Sequence, residues 1–257
     1  MTFLGKALPL LLALAVLPQA FPQKQHQEIR RLGEITAIVN QTDEELILTD
    51  RGIAGTLIAQ GSKEATKELV SEIEGTILTL TRKPSKNHLP KLPFFNASLT
   101  VSDPLRIVIS CPSLASLKTT GTGSTALVSQ RFQNLKVESE GEGAVHFSNC
   151  RFYSLEAKLQ GSGNLVFEKC ETVDARLQLE GKGELFAHGL RCKNVKALLH
   201  GKGTLTTWPS QFLDAKVIGP GKLLYRDNPP TLKEQTQDGG TIDRYFPTDS
   251  LHNGTKE

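Results

Sequence analysis

At 257 residues and a formal charge of +3, the chain is long enough for one elongated domain. It is too weakly basic to make an electrostatic case for nucleic acid as a partner. Twenty-two glycines against a single methionine suit an exported, β-rich protein. Residues 1–20 read as a secretory signal peptide. Lys6 supplies the positive start, Ala7 to Leu17 an apolar run broken only by Pro9, and Pro18-Gln19-Ala20 a cleavage site. The run is too short to span a bilayer and no second apolar segment comes after it. The mature chain is therefore expected to be exported, with no transmembrane segment once the signal is removed. The first cysteine is Cys111, so none follows the apolar run to accept a lipid.

Residues 21–34 are polar and are expected to form a flexible leader. From 35 to 110 the pattern is β without a clean repeat. Strand candidates are Ile35 to Val39, Glu45 to Thr49, Gly55 to Ala59 and Thr76 to Thr81. Ser62 to Ile73 places Ala65, Leu69, Val70 and Ile73 on one helical face, yet much of it is expected to be extended. In Arg106 to Cys111, alternation turns Ile107, Ile109 and Cys111 inward and Arg106, Val108 and Ser110 outward, and Pro112 ends the strand. This half is expected to form irregular coils that cover the open end of the second half.

From 111 to 245 the chain repeats. Gly-x-Gly occurs at Gly121/Gly123, Gly141/Gly143, Gly161/Gly163, Gly181/Gly183 and Gly201/Gly203, twenty residues apart, and again at Gly219/Gly221 after eighteen. Between the glycines apolar residues alternate, as in Val145 and Phe147 or Leu155, Ala157 and Leu159. A period of two means strands with one buried face, and a fixed period of this size means a solenoid. Twenty residues leave no room for a crossover helix. The spacing predicts an all-β fold, a right-handed parallel β-solenoid (parallel β-helix) of about six coils, with an irregular N-terminal β cap over 35–110. Glycine at both corner positions is expected to permit positive φ. The two residues missing from the short coil are placed within Thr206 to Gln211, where a deletion leaves the flanking strands in register. Residues 246–257 are expected to be a disordered tail.

Glu74-Gly75-Thr76-Ile77-Leu78, Ile107-Val108-Ile109 before Pro112, the repeated Gly-x-Gly units and the close Gly219-Pro220-Gly221, Tyr225, Asn228-Pro229 and Gly239-Gly240 together resemble the bacterial autotransporter adhesin, head GIN domain family. The resemblance covers about residues 35 to 245. It implies a β-solenoid exported to the envelope, that is, the periplasm, the outer-membrane surface or the medium. Only Ser162 keeps the serine usual between the paired glycines; Thr122, Glu142, Lys182, Lys202 and Pro220 replace it. No translocator barrel follows, so a self-exporting autotransporter is not expected.

Three groups of residues stand out as candidate sites. Cys150 and Cys170 hold the same place in adjacent coils, where rungs about 4.8 Å apart suit either a disulfide staple or two stacked thiols. The segment Arg82, Lys83, Lys86, His88, Lys91 and Phe94-Phe95 is a basic, proline-rich loop able to touch anionic glycan or lipid headgroups. The sixth place of each coil should face solvent, yet it reads Ala126, His146, Val166, Phe186, Thr206, Leu224. Such an apolar stripe is covered either by the chain's own N-terminal part or tail, or by a partner. The outward column Lys136, Glu156, Arg176, Lys196, Asp214 has mixed signs, as a solvated face does. The six histidines form no column, and no Cys-x-x-Cys or cysteine–histidine spacing appears, so neither metal nor cofactor is expected. The reading is a non-enzymatic adhesin-like or structural module whose partner is an envelope glycan, lipopolysaccharide or another protein. The alternative is a polysaccharide lyase or hydrolase on a β-helix, which requires carboxylates clustered on one face.

Overall fold

The structure, a computed structural model, describes residues 26–84 and 103–245. The expected signal peptide and the expected tail lie outside the described residues. The regular part is a parallel β-solenoid in which each coil lays one strand on each of two sheets. Sheet A contains β9 (Thr125–Val128), β11 (Ala144–Ser148), β13 (Asn164–Glu168), the first parts of β15 (Glu184–Gly201) and β16 (Thr204–Ile218), then β17 (Lys222–Tyr225) and β19 (Thr241–Arg244). Sheet B contains β8 (Ser116–Thr119), the later parts of β10 (Arg131–Ser139), β12 (Arg151–Gly161), β14 (Cys170–Gly181), β15 and β16, and finally β18 (Thr231–Gln237). Equivalent residues of successive coils pair directly, Val145 with Leu165 and Leu185, Ala157 with Leu177 and Ala197.

In-register pairing stacks like on like and fills the core in columns. Phe147 lies on Phe167 with ring centroids 4.8 Å apart, and Phe132 on Phe152 at 5.3 Å. Edge-to-face contacts join the two stacks, a favourable aromatic geometry. Leu177 is fully buried between Ala157 and Ala197, so large and small side chains alternate along that column.

The glycine ladder has two separate causes. Gly161, Gly181, Gly201 and Gly219 do adopt positive φ, from +96° to +128°. The second glycine of each pair does not, contrary to the expectation that both corners need it. There the constraint is close approach. A Cβ on Gly163 would sit 2.4 Å from the carbonyl oxygen of Gly143, and one on Gly183 2.5 Å from that of Gly163. The short coil departs as expected: the register shifts between Phe186 and Arg191, where Thr206 and Trp208 are the partners, and is restored by Val195–Leu213.

The N-terminal half is woven in, not added on. It comprises β1 (His26–Arg31), β2 (Ala37–Asn40), β3 (Glu45–Thr49), β4 (Thr56–Gly61), α1 (Lys63–Glu68), β5 (Leu69–Glu74), β6 (Ile77–Arg82) and β7 (Arg106–Ser110). The β2–β3 coil is sandwiched: β2 pairs in parallel with both β6 and β8, and β3 with both β7 and β9. The antiparallel strands β4 and then β1 close sheet A, and β5 closes sheet B. Part of the expected leader is thus a strand, because β4 leaves an edge that β1 fills. Ser62 caps α1, its hydroxyl accepting from the Ala65 amide at 3.1 Å. The helix stops at Glu68, and the rest of that segment is extended as β5. Ser110, expected to face outward, is buried, unlike Arg106 and Val108 of the same strand.

Candidate functional site

Alternation along each sheet A strand sends every second side chain outward. The central outward column reads Ala126, His146, Val166, Phe186, Thr206, Leu224, each pairing with the next. Its continuation into the N-terminal half has no counterpart in the sequence spacing. Ala126 stacks on Ile47, Ile47 on Val108, Val108 on Ile58 and Ile58 on Ile29. Leu224 is followed by Asp243, which ends the run. Ten positions at roughly 4.8 Å give a strip about 43 Å long, apolar except at His146 and Thr206. Ile29 is 60% exposed, and Ile47, Ile58, Val108, Val166, Phe186 and Leu224 are half-buried by their own column neighbours. The N-terminal strands therefore lengthen the stripe and do not cover it. The described strands of sheet A pack edge to edge with one another, with none laid across this face.

Polar columns flank the strip. On one side stand Gln60, Arg106 and Glu45, then, beyond the apolar Ala144, Asn164, Glu184, Thr204 and Lys222, with Arg106 paired to Glu45 at 2.6 Å. On the other, Glu168 meets His146 at 3.2 Å. The His188 ring lies 3.3 Å from the Thr206 hydroxyl and touches the Phe186 and Tyr245 rings.

Sheet B presents a different outer face. Lys136, Glu156, Arg176, Lys196 and Asp214 stack in that order. Lys136 reaches Glu138 at 2.7 Å and Lys118 reaches Glu140 at 2.8 Å. The hydrogen bond from Lys136 holds Glu138 below the ordinary carboxylate range, and that from Gln160 does the same for Glu180. Neighbouring opposite charges on a solvated sheet account for these contacts.

The structure splits the basic loop. Lys86, Lys91 and Phe94 lie outside the described residues. Lys83 is exposed. Arg82 is not offered to solvent: its guanidinium donates to Glu44, to Glu68 at 2.9 Å and to the Asp103 carbonyl at 3.0 Å. Glu44 also accepts from the Leu105 amide at 3.0 Å. Arg82 clamps the base of the segment and leaves its charge neutralised. The segment emerges between β6 and β7, the corner that in the regular coils carries Gly-x-Gly.

All four cysteines are buried, free thiols. Cys150 and Cys170 are in contact, the Cys150 amide donating to the Cys170 sulfur at 3.4 Å. The hydrogen bond to Cys150 and burial hold the Cys170 thiol protonated, so Cys150 is the first of the pair to ionise. Cys111 donates to the Ile35 carbonyl at 3.1 Å, and burial pushes its thiol up to about 11. Among the described residues no group of three or more His, Cys, Asp or Glu could hold a metal ion, and no helix is long and apolar enough to cross a membrane.

In-register coils, a glycine corner ladder and a flat apolar outer strip define a parallel β-solenoid. The chain belongs to the family described as "Putative auto-transporter adhesin, head GIN domain", which matches residues 35–229. Solved structures share the fold. A "putative adhesin" from Bacteroides fragilis superposes with a TM-score of 0.72 at 23% identity, covering 87% of this chain and 98% of that one. A "putative lipid binding protein" from Parabacteroides distasonis gives 0.67 at 17%, covering 88% and 98%. A "putative adhesin" from Parabacteroides merdae gives 0.62 at 17%, covering 88% and 98%. No curated protein matches the chain.

Proposed function

We propose that this chain is a non-enzymatic bacterial module, exported to the periplasm, the outer-membrane surface or the medium, that binds its partner along the outer face of sheet A. One observation carries the reading: a column apolar except at His146 and Thr206 runs along that face from Ile29 to Leu224. Water disfavours such a strip, and the hydrogen-bonding columns on either side supply orientation. Family membership among adhesin-like proteins supports binding over turnover. The neighbour described as lipid binding adds lipopolysaccharide to envelope glycan and protein as the partner classes to present.

The test is an array of envelope glycans, lipopolysaccharides and envelope proteins, probed with the mature protein and with Val166→Glu. Val166 faces outward, so a carboxylate there leaves the core columns intact. Retention of one class by the parent and its loss in Val166→Glu is the expected result. Equal retention by both proteins moves the site off sheet A. Release of oligosaccharides from an acidic polysaccharide by the purified protein overturns the non-enzymatic reading. Phe186→Ser separates the stripe's two roles: a large fall in melting temperature with unchanged binding makes it part of the fold.

A further inference from the structure

A solenoid has two ends, and each exposes a cross-section of core and a row of unpaired backbone groups, which invites another copy to stack. Both ends of this one carry charge at positions that are apolar in the coils beneath. At the N-terminal end, β1 places Glu28 opposite Ala59 and Arg30 opposite Leu57, and both partners face inward and are fully buried. Arg30 bonds Glu28 at 2.9 Å and crosses the end of the core to the carbonyls of Leu69 at 2.8 Å and Thr66 at 3.0 Å. At the C-terminal end, the column Ala157, Leu177, Ala197, Ala215 finishes on Glu234, and the column ending in Tyr225 finishes on Arg244. Burial and then the Glu234 carboxylate push the Tyr225 phenol up, and Arg244 acts on the same group in the opposite sense from the other sheet. The two ends come from unrelated stretches of sequence, yet each has one glutamate and one arginine turned into the core.

We propose that these inward Glu–Arg sets are end stops that keep the solenoid from stacking on itself, leaving its flank as the surface for association. Another rung laid on the C-terminal end would bury the exposed Glu234 and Arg244 away from water, and one on the N-terminal end would close off the exposure that Arg30 and Glu28 keep, 21% and 34%; desolvating such ions costs more than the added strand pairing returns. The outermost strands β1 and β18 also carry the exposed Arg31 and Lys233, a further deterrent to pairing.

The test is sedimentation velocity on the mature protein at about 100 µM, with three variants. The first is Glu234→Leu with Arg244→Leu, the second Glu28→Leu with Arg30→Leu, and the third all four changes. One apolar end permits a closed, two-fold contact; two apolar ends permit an open series. The expected result is a doubling of the parent's mass for each one-ended variant and longer, concentration-dependent rods for the four-fold variant. If losing the Arg30 contacts prevents folding, the C-terminal variant decides alone: a doubled mass supports the stops, and the parent's mass with an unchanged circular dichroism spectrum overturns them. The swap Glu234→Arg with Arg244→Glu, which keeps charge in the end, is expected to sediment as the parent; association of the swap also overturns the proposal.

Discussion

Gly163→Ala tests why the corner ladder is made of glycine. The added methyl would stand 2.4 Å from the Gly143 oxygen and 2.9 Å from the Gly141 oxygen, well inside contact distance. Those oxygens accept the bonds that tie the corners together, Gly163 to Gly141 at 3.2 Å and Asn164 to Gly143 at 3.3 Å. The rung must therefore rise, lengthening two hydrogen bonds worth about 1 kcal/mol each and adding about 1–3 kcal/mol of overpacking. A loss of roughly 3–5 kcal/mol moves the melting temperature of a chain this size down by about 6–20 °C. Gly75→Ala is the comparison, since Gly75 has φ +63° and nothing within 4 Å of the new methyl. Its cost is conformational alone, about 1–2 kcal/mol. Thermal unfolding followed by circular dichroism measures both. If Gly163→Ala melts within about 2 °C of the parent, or above Gly75→Ala, close approach is not what holds glycine at the second corner.

Arg82→Met leaves Glu44 and Glu68 without their shared cation; the expected loss is about 3 kcal/mol, read by denaturant unfolding, and Glu44→Gln should lose less. Asp43 accepts from the Thr122 amide and hydroxyl, both at 2.8 Å, and those bonds hold its carboxyl below the usual range. A depressed carboxylate stabilises the fold above its unfolded value near 4 and ceases to as pH falls through its folded value. Asp43→Asn should therefore lower the neutral plateau slightly and make the acid limb of the stability–pH curve shallower without removing it, since Glu138 and Glu180 are depressed as well. Under oxidising conditions Cys150 and Cys170 are expected to bridge. Thiol counting on unfolded, unreduced protein should then find two thiols and a melting temperature that falls on reduction, since closing a loop of this size contributes roughly 3 kcal/mol; four thiols would remove the staple.

Where coils stack in register, equivalent residues recur at fixed spacing, and that is why 111–245 is legible from glycines and alternation alone. The outward column of Val166 and Phe186 and the charged column of Lys136 and Glu156 can both be read off as every twentieth residue. The same logic fails before residue 111. There Ile29, Ile58, Val108 and Ile47 occupy one column, but the strand of Ile58 runs against the other three and the spatial order is not the chain order. No spacing links them. Arg82 reads as part of a basic loop because its neighbours in sequence are basic; its actual neighbours, Glu44 and Glu68, come from the bend before β3 and from α1. Glu28 and Arg30 read as leader because nothing local distinguishes an inward charge from a solvated one.

The sandwiched position of the β2–β3 coil bears on the order in which the rod can assemble. Ala37 needs Ile77 on one side and Ser116 on the other, so the earliest part of the domain to be made is among the last that can be satisfied. Contacts of such wide sequence separation close slowly, whereas each coil from β10 onward needs only the one before it. Assembly should run outward from the regular array, with the N-terminal strands threading into place afterwards. A chain made N-terminus first must then hold one edge of Ala37 to Thr49 open, with only β6 and β7 on the other side, until the first Gly-x-Gly coil has followed, a delay in which those apolar strands are open to capture by chaperones or by one another.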